Sequence, residues 1–121
     1  LTYELWLNEY GVALTDLKAA PSDDLDNDGI SNIVEYFQNL NPLQASTSSL
    51  SLENNTLSVR RYLLPNDLEH TYETSVNLSE WEAISLTETT NFIDEQTQKA
   101  SFLISPDDEK RFYRYRVEIS E

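Results

Sequence analysis

The residues best suited to chemistry in this chain are the acids between positions 24 and 35. The run Asp-Leu-Asp-Asn-Asp-Gly-Ile-Ser-Asn-Ile-Val-Glu fits the calcium-loop pattern D-x-[DN]-x-[DN]-G-x5-E at every specified position. Ca²⁺ binds oxygen atoms that converge from one short piece of backbone, and Gly29 occupies the position where that backbone turns sharply. The spacing predicts four carboxylates, one backbone carbonyl and one side chain that holds a water, supplied respectively by Asp24, Asp26, Asp28 and Glu35, by Ile30, and by Asn32.

Two other interpretations of this loop are open. Asp28, Ser31 or Asn32 could instead cap the start of a helix, where the helix dipole also favours acids. That explanation leaves the spacing of the acids, the glycine and Glu35 as coincidences. Magnesium is a second alternative, but it prefers rigid octahedral sites that retain several waters. The sequence therefore favours Ca²⁺ as the cofactor.

Two short helices are predicted, one on each side of this loop. Apolar residues at helical spacing predict the first over residues 3–10 and the second over residues 31–39. Their apolar faces are Tyr3, Trp6, Leu7 and Tyr10 in the first helix, and Ile33, Val34, Phe37 and Leu40 in the second. Residues 12–23 separate the first helix from the loop, whereas the entry helix of a regular EF-hand adjoins its loop.

The remainder of the chain has the pattern of antiparallel strands. A small, polar segment at 44–49 predicts a linker, and Asn54-Asn55 predicts a hairpin turn. The predicted strands cover residues 50–53, 56–64, 72–78, 81–86, 91–94, 100–104 and 111–119. The expected fold class is α+β. A helix–calcium loop–helix element at 1–43 is packed on, or joined to, a small antiparallel β-sandwich of immunoglobulin-like or fibronectin-like type at 50–121.

Composition narrows the range of functions. The chain has 22 acids against 8 bases and a net charge of −14, which argues against nucleic acid or an anionic membrane surface as a partner. The lack of cysteine excludes disulfides, zinc–thiolate sites and thiol catalysis. If a protein of this size is secreted, it needs another source of stability in place of disulfides, and bound calcium is a sensible one. No run is long and apolar enough to span a membrane, and no signal peptide is present. The chain begins at Leu1 and contains no methionine, which predicts a piece of a larger mature protein.

Catalysis is not expected. His70 is the only histidine, so a histidine metal cluster cannot form, and no nucleophile motif lies near it. A glycosidase needs two carboxylates facing each other across a cleft, and a small sandwich has little room for one. The sequence therefore predicts a protein that is not an enzyme.

The motifs resemble known calcium modules. The D-x-D-x-D-G core resembles thrombospondin type 3 repeats and dockerins, which also lack an adjoining entry helix. The run 26–36, continued by Asn41-Pro42, is more similar to calcium-loop modules near the C-termini of large secreted proteins of environmental bacteria. In those modules a tryptophan-bearing helix often precedes the loop, as Trp6 does here, and a β-rich tail follows. Dockerins pair two loops, and the single loop here argues against cohesin binding.

This resemblance implies a non-catalytic, extracellular accessory module of a larger bacterial protein, secreted or on the cell surface. The implied calcium ligands are Asp24, Asp26, Asp28, Ile30 and Glu35. A structural, assembly or surface-attachment role is expected, with a cell-surface component or a polysaccharide as a partner besides calcium. The alternative is a carbohydrate-binding module appended to a polysaccharide-degrading enzyme.

The aromatic residues of the strand region bear on that alternative. Planar rings can stack on sugars, but rings at alternating strand positions more often fill a core. The rings in question are Tyr62, Tyr72, Trp81, Tyr113 and Tyr115. On the opposite face of the last strand, Arg114 and Arg116 could bind a sulfated or uronic polysaccharide, or pair across strands with residues such as Glu73.

Overall fold

The computed structural model describes residues 1–45, 50–84, 87–104 and 112–120. Most of the predicted linker, the end of the predicted strand 81–86 and Arg111 at the start of the predicted last strand lie outside these residues. The described elements are, in chain order, α1 (Tyr3–Glu9), α2 (Asn32–Gln38), β1 (Ser51–Glu53), β2 (Thr56–Tyr62), β3 (Leu68–Ser75), β4 (Glu82–Ala83), β5 (Glu88–Asp94), β6 (Thr97–Leu103) and β7 (Phe112–Ile119). Within these ranges, no helix has the length and apolar character needed to cross a membrane.

The strands form two antiparallel sheets. One has four strands in the order β1-β2-β6-β5, and the other has three in the order β4-β3-β7. The predicted set of short antiparallel strands is therefore confirmed. Apolar residues from both sheets contribute to the same buried clusters, which is compatible with a small β-sandwich.

The turn between β1 and β2 follows the sequence prediction. Asn54 and Asn55 have φ values of 50° and 59°, and two successive left-handed residues are what a tight hairpin of this kind requires. Asparagine tolerates that conformation better than most residues, because its short polar side chain can bond locally. The strands on either side pair from Glu53 opposite Thr56 outward.

The end of β3 differs from the prediction. Apolar alternation extends the predicted strand to Leu78, but β3 runs from Leu68 to Ser75. The Ser75 hydroxyl accepts hydrogen bonds from the backbone N–H groups of Asn77 and Leu78, at 3.2 and 2.9 Å. These bonds fold the chain into a local turn and so take its backbone out of the sheet. Val76 and Leu78 are therefore exposed in a loop.

The buried face of α2 also differs from the prediction. Of the predicted apolar stripe, only Phe37 is buried, while Ile33 and Val34 are half-exposed. The buried residues of the helix are Asn32, Glu35, Tyr36, Phe37 and Gln38. The polar members of this set lie three residues apart and face the rest of the molecule. Asn32 and Gln38 donate to partners distant in the sequence, which replace water.

Three hydrophobic clusters hold the molecule together. The first centres on the aromatic rings of the helices and reaches β2; its buried members are Tyr3, Trp6, Leu7, Val12, Ala19, Tyr36 and Tyr62. In the second, Phe37 of α2 packs on Val59 and Ala100 of one sheet and is adjoined by Tyr115 of the other. The third lies between the sheets around Leu57, Phe102 and Ile104. Helix α2 thus belongs to the same core as the strands.

Strand β5 is one of the two outer strands of the four-stranded sheet as the described residues define it. All seven of its residues are exposed, and the side chain of Phe92 is 70% exposed. In the described part of the chain, β5 pairs only with β6. Among the described residues, no strand pairs with the backbone donors and acceptors of its other edge.

Two phenylalanines provide a matched test of this core. Phe37 is 1% exposed and Phe92 is 70% exposed. We expect Phe37→Ala to lower the free energy of unfolding by about 3–5 kcal/mol, because it leaves a cavity between α2 and the sheets. Phe92→Ala is expected to change it by no more than about 0.5 kcal/mol. Urea unfolding of both variants measures the difference, and equal losses would contradict the placement of α2.

Candidate metal centre

The loop before α2 is shaped by its own acids. The carboxylate of Asp24 accepts hydrogen bonds from the backbone N–H groups of Gly29, at 2.8 Å, and Asp28, at 3.3 Å. Asp26 also accepts from Asp28 N–H, and Asp28 accepts from Ile30 N–H at 2.8 Å. Each acid thus keeps its carboxylate turned into the bend of the chain.

Gly29 allows this bend. Its φ is +87°, in the region that side chains rarely adopt. A Cβ atom built at this position would meet nothing within 4 Å, so the backbone angle, and not lack of space, makes glycine necessary.

Four carboxylates converge on one point. Oxygen atoms of Asp24, Asp26, Asp28 and Glu35 all lie within 4.8 Å of one another. At such a separation, two ionised carboxylates repel by about 3 kcal/mol where the effective dielectric constant is about 20. A cation between them would attract each carboxylate, and these attractions would outweigh the repulsions.

Glu35 is the most deeply buried of these four acids. Its side chain is fully buried, and neither carboxylate oxygen has a hydrogen-bond partner in the described residues. Burial, followed by the charges of Asp26, Asp28 and Asp24, raises the pKa of Glu35 to about 8. A buried carboxylate without partners is unfavourable unless a proton or a metal ion neutralises it.

Asp26 is a second acid of this cluster whose pKa is raised, though by less than that of Glu35. One of its oxygens is buried and has no hydrogen-bond partner within the described ranges. Burial and hydrogen bonds with the carboxylates of Asp24 and Asp28 raise the pKa of Asp26 to about 6. Buried carboxylate oxygens without partners that face the same point fit a hard cation with oxygen ligands.

Asn32 makes contacts that the sequence does not foretell. It is fully buried, and its Nδ2 donates to the carbonyl oxygens of Lys18 and Ala20, at 2.8 and 3.0 Å. Its Oδ1 accepts from Leu25 N–H at 3.1 Å. Asn32 therefore fastens residues 12–23 to the start of α2. Its water-holding role and the carbonyl ligand role of Ile30 stay predictions.

The helix start is capped by backbone, so the capping alternative explains none of the acids. Ser31 is the N-cap residue of α2, and its side chain makes no capping hydrogen bond. The N–H groups of Asn32 and Ile33 donate instead to the carbonyl oxygens of Asp23 and Pro21, at 2.7 and 2.8 Å. The connector thus supplies the bonds that a capping side chain would otherwise make.

Helix α2 links this site to the core. Tyr36 follows Glu35 directly, is fully buried, and packs against Trp6 with a ring-centroid distance of 5.1 Å. Its hydroxyl donates to Asp67 Oδ1 at 2.6 Å, and both burial and this bond raise the pKa of Tyr36. Any shift of Glu35 therefore disturbs the aromatic cluster as well.

Asp67 is a structural residue that the sequence does not reveal. Besides Tyr36, it accepts from the backbone N–H of Tyr3 at 2.8 Å. The next residue back, Asn66, donates its N–H to Leu1 O at 2.9 Å. One carboxylate in the loop between β2 and β3 thus joins both helices. The partners are more than thirty residues away, so no local pattern could have indicated them.

Most of the aromatic residues considered as a sugar platform lie in the core. Tyr62 is buried, and Tyr72, Tyr113 and Tyr115 are half-buried against the clusters between the sheets. Trp81 is half-exposed and lies outside these clusters. The predicted cross-strand pairing is confirmed for Arg114, whose Nε donates to Glu73 Oε1 at 2.8 Å.

Comparison of the chain with protein-family models, curated proteins and solved structures gives no match. Inferences about its function therefore depend on the geometry of its own residues.

Without divalent cations, the stability of the chain is expected to fall as the pH rises. The ordinary pKa of Glu35 is 4.5, and its folded value is about 8. The folded state binds more protons between these two values, so stability present below pH 4.5 is lost progressively up to about pH 8. Asp26 adds a loss of the same sign between pH 3.8 and about 6. Urea unfolding in chelator across this range measures the slope.

Glu35→Gln is the matched variant for this measurement. It keeps the shape of the side chain but cannot ionise, so its stability in chelator should vary less with pH. Above about pH 8 it should be more stable than the parent chain, because it buries no charge. Equal slopes for the two chains would show that Glu35 does not titrate as described.

Proposed function

We propose that the loop 24–35 binds one Ca²⁺ ion, and that the chain is a calcium-stabilised, non-catalytic module of a larger extracellular protein. The observation that carries this proposal is the Glu35 carboxylate, which is buried without a hydrogen-bond partner among three aspartates. Protonation or a cation can relieve this arrangement. At neutral pH in extracellular fluid, where calcium is abundant, the cation is the better solution.

The chemistry of the donor set favours calcium over other metals in this proposal. All four converging side chains are carboxylates, and the chain has no cysteine and a single histidine outside the cluster. Softer transition metals prefer nitrogen and sulfur ligands. Magnesium demands near-ideal octahedral geometry. Three of the carboxylates here belong to a loop and the fourth to a helix, and the larger Ca²⁺ accepts such a ligand set because its coordination geometry is more flexible.

A structural role follows from the position of the ligands. Three aspartates belong to the loop, and Glu35 belongs to α2, whose neighbouring residues Tyr36 and Phe37 enter the two main hydrophobic clusters. An ion bound by all four would hold the loop against the helix and the helix against the sheets. In this proposal residues 1–43 form a helix–calcium loop–helix element whose second helix is locked by the ion.

A calcium sensor is a poorer explanation. Sensor proteins open a methionine-rich groove when calcium binds, and this chain contains no methionine. The aromatic residues of α2, Tyr36 and Phe37, are already buried in the core. The resemblance of the loop to modules of secreted bacterial proteins supports an extracellular accessory role in structure, assembly or surface attachment.

Calcium is expected to raise the melting temperature. At a concentration of about 100 times the dissociation constant, a bound ion stabilises the folded state by about 2.7 kcal/mol. For a domain of this size, that corresponds to a rise of roughly 10 °C. Calorimetry in CaCl₂ and in chelator measures the shift, with MgCl₂ as the matched salt.

Glu35→Gln and Glu53→Gln separate the site from general charge effects. Both remove one negative charge, but Glu53 is an exposed residue of β1 outside the acid cluster. Glu53→Gln should retain the calcium response and Glu35→Gln should lose most of it. Unchanged melting of the parent chain in calcium and chelator, with no binding heat in titration calorimetry, would refute the proposal.

Asp24→Ala should loosen the helices more than the strands. Its carboxylate holds the N–H groups of Gly29 and Asp28 and contributes one of the four proposed ligands. In CaCl₂ we expect hydrogen exchange to quicken by at least about tenfold in α2, while β2 and β6 stay protected. An equal rise of the hydrogen-exchange rate in the helices and the strands would contradict a local stabilising role of the ion.

A further inference from the structure

A pocket of about 370 Å³ lies beside Trp81 at the end of β3. Its volume falls at the lower end of the range of about 300–1,000 Å³ that is typical of small-molecule sites. The residues that line it are Thr74, Ser75, Val76, Glu80, Trp81 and Glu82. It thus combines one aromatic wall with hydroxyl and carboxylate groups, and it shares no residue with the acid cluster.

Two contacts fix the indole ring of Trp81. Its Nε1–H donates to Leu78 O at 3.3 Å, and the guanidinium carbon of Arg114 lies 3.9 Å from its ring centroid. Arg114 in turn is held by Glu73, a buried carboxylate, at 2.8 Å. The guanidinium covers one face of the ring and does not line the pocket. The indole therefore meets the pocket with surface that Arg114 does not cover.

The loop that leads to Trp81 is held in one conformation by its own hydrogen bonds. Ser75 Oγ accepts two backbone N–H groups, and Asn77 Oδ1 accepts those of Ser79 and Glu80, at 2.9 and 3.0 Å. Leu78 has a φ of 66°, an unfavourable conformation for a bulky side chain. Such strain persists only where the surrounding contacts impose it, which is a common property of binding sites.

We propose that this pocket binds a neutral carbohydrate, with a pyranose ring stacked on Trp81 and its hydroxyl groups bonded to Glu80 and Glu82. A pyranose with equatorial hydroxyls has a flat face of C–H bonds that packs on an aromatic ring, while carboxylates accept from its hydroxyls. An ordered ring and loop lose little entropy on binding. This proposal does not rest on the calcium site.

Charge determines which carbohydrate fits. Two carboxylates line the pocket, and the whole chain has a net charge of −14. Uronic or sulfated sugars would be repelled at this position. The guanidinium of Arg114 is already occupied by Glu73 and by the indole. A neutral chain of glucose or xylose units is therefore the class of ligand that this pocket accepts.

The two tryptophans of the chain give the test an internal reference. Trp6 is 1% exposed in the aromatic cluster, whereas Trp81 lines the pocket. The isotope-labelled chain in CaCl₂ is titrated with cellopentaose, laminaripentaose and xylopentaose, and with trigalacturonate as the anionic control. At least one neutral sugar should move the Trp81 indole N–H resonance with a dissociation constant on the order of 1 mM, and leave that of Trp6 in place.

Variants complete the test. Trp81→Ala should weaken binding at least about tenfold, while Phe92→Ala, an exposed aromatic on the other sheet, should leave it unchanged. Where Trp81→Ala disturbs the fold, Trp81→Phe keeps an aromatic ring and should bind more weakly than the parent chain. Any of three results would overturn the proposal: no response to a neutral sugar at about 10 mM, binding of trigalacturonate alone, or a folded Trp81 variant that binds as the parent does.

Discussion

Burial of the Glu35 carboxylate beside three aspartates is the constraint on which the helical part of the molecule depends. The acids hold their loop in shape by accepting its backbone N–H groups, yet the same geometry gathers four negative groups within 4.8 Å. The neighbours of Glu35 on α2 enter the aromatic cluster and the core between the sheets. Neutralisation of the acids by a proton or a cation would therefore be coupled to the packing of α2, and through α2 to the strands.

The convergence of the acids was accessible from the sequence because all of its determinants lie within twelve residues. Spacing and one glycine suffice to bring the carboxylates to one side of a tight bend. The buried face of α2 was not accessible in this way. Gln38 is buried because Tyr115, seventy-seven residues later, accepts its amide, and Asn32 is buried because it bonds the connector. Periodicity assumes that apolar residues face the core, and polar residues with distant partners violate that assumption.

Among the strands, too, some features were predictable from the sequence and others were not. The two-residue turn at Asn54 and Asn55 was predictable because its left-handed backbone restricts the choice of residue. The end of β3 was not, because Ser75 and Asn77 compete with the sheet for backbone N–H groups although the apolar alternation continues. The aromatic residues divide similarly. Tyrosines at alternating positions fill the core, while Trp81 stands apart because Arg114 and the loop hold it at the surface.

The acidic composition of the chain affects whether two copies can pair along the exposed outer edge of β5. An open strand edge with accessible apolar side chains such as Phe92 invites two copies to join their sheets. In an antiparallel ribbon centred on Asn91, Glu88 of one copy would stand opposite Asp94 of the other, and like charges in that position are destabilising. The surplus of 14 negative charges adds a general repulsion between molecules. In the described part of the chain, the acidic composition thus opposes the pairing of two copies along this edge of the sheet.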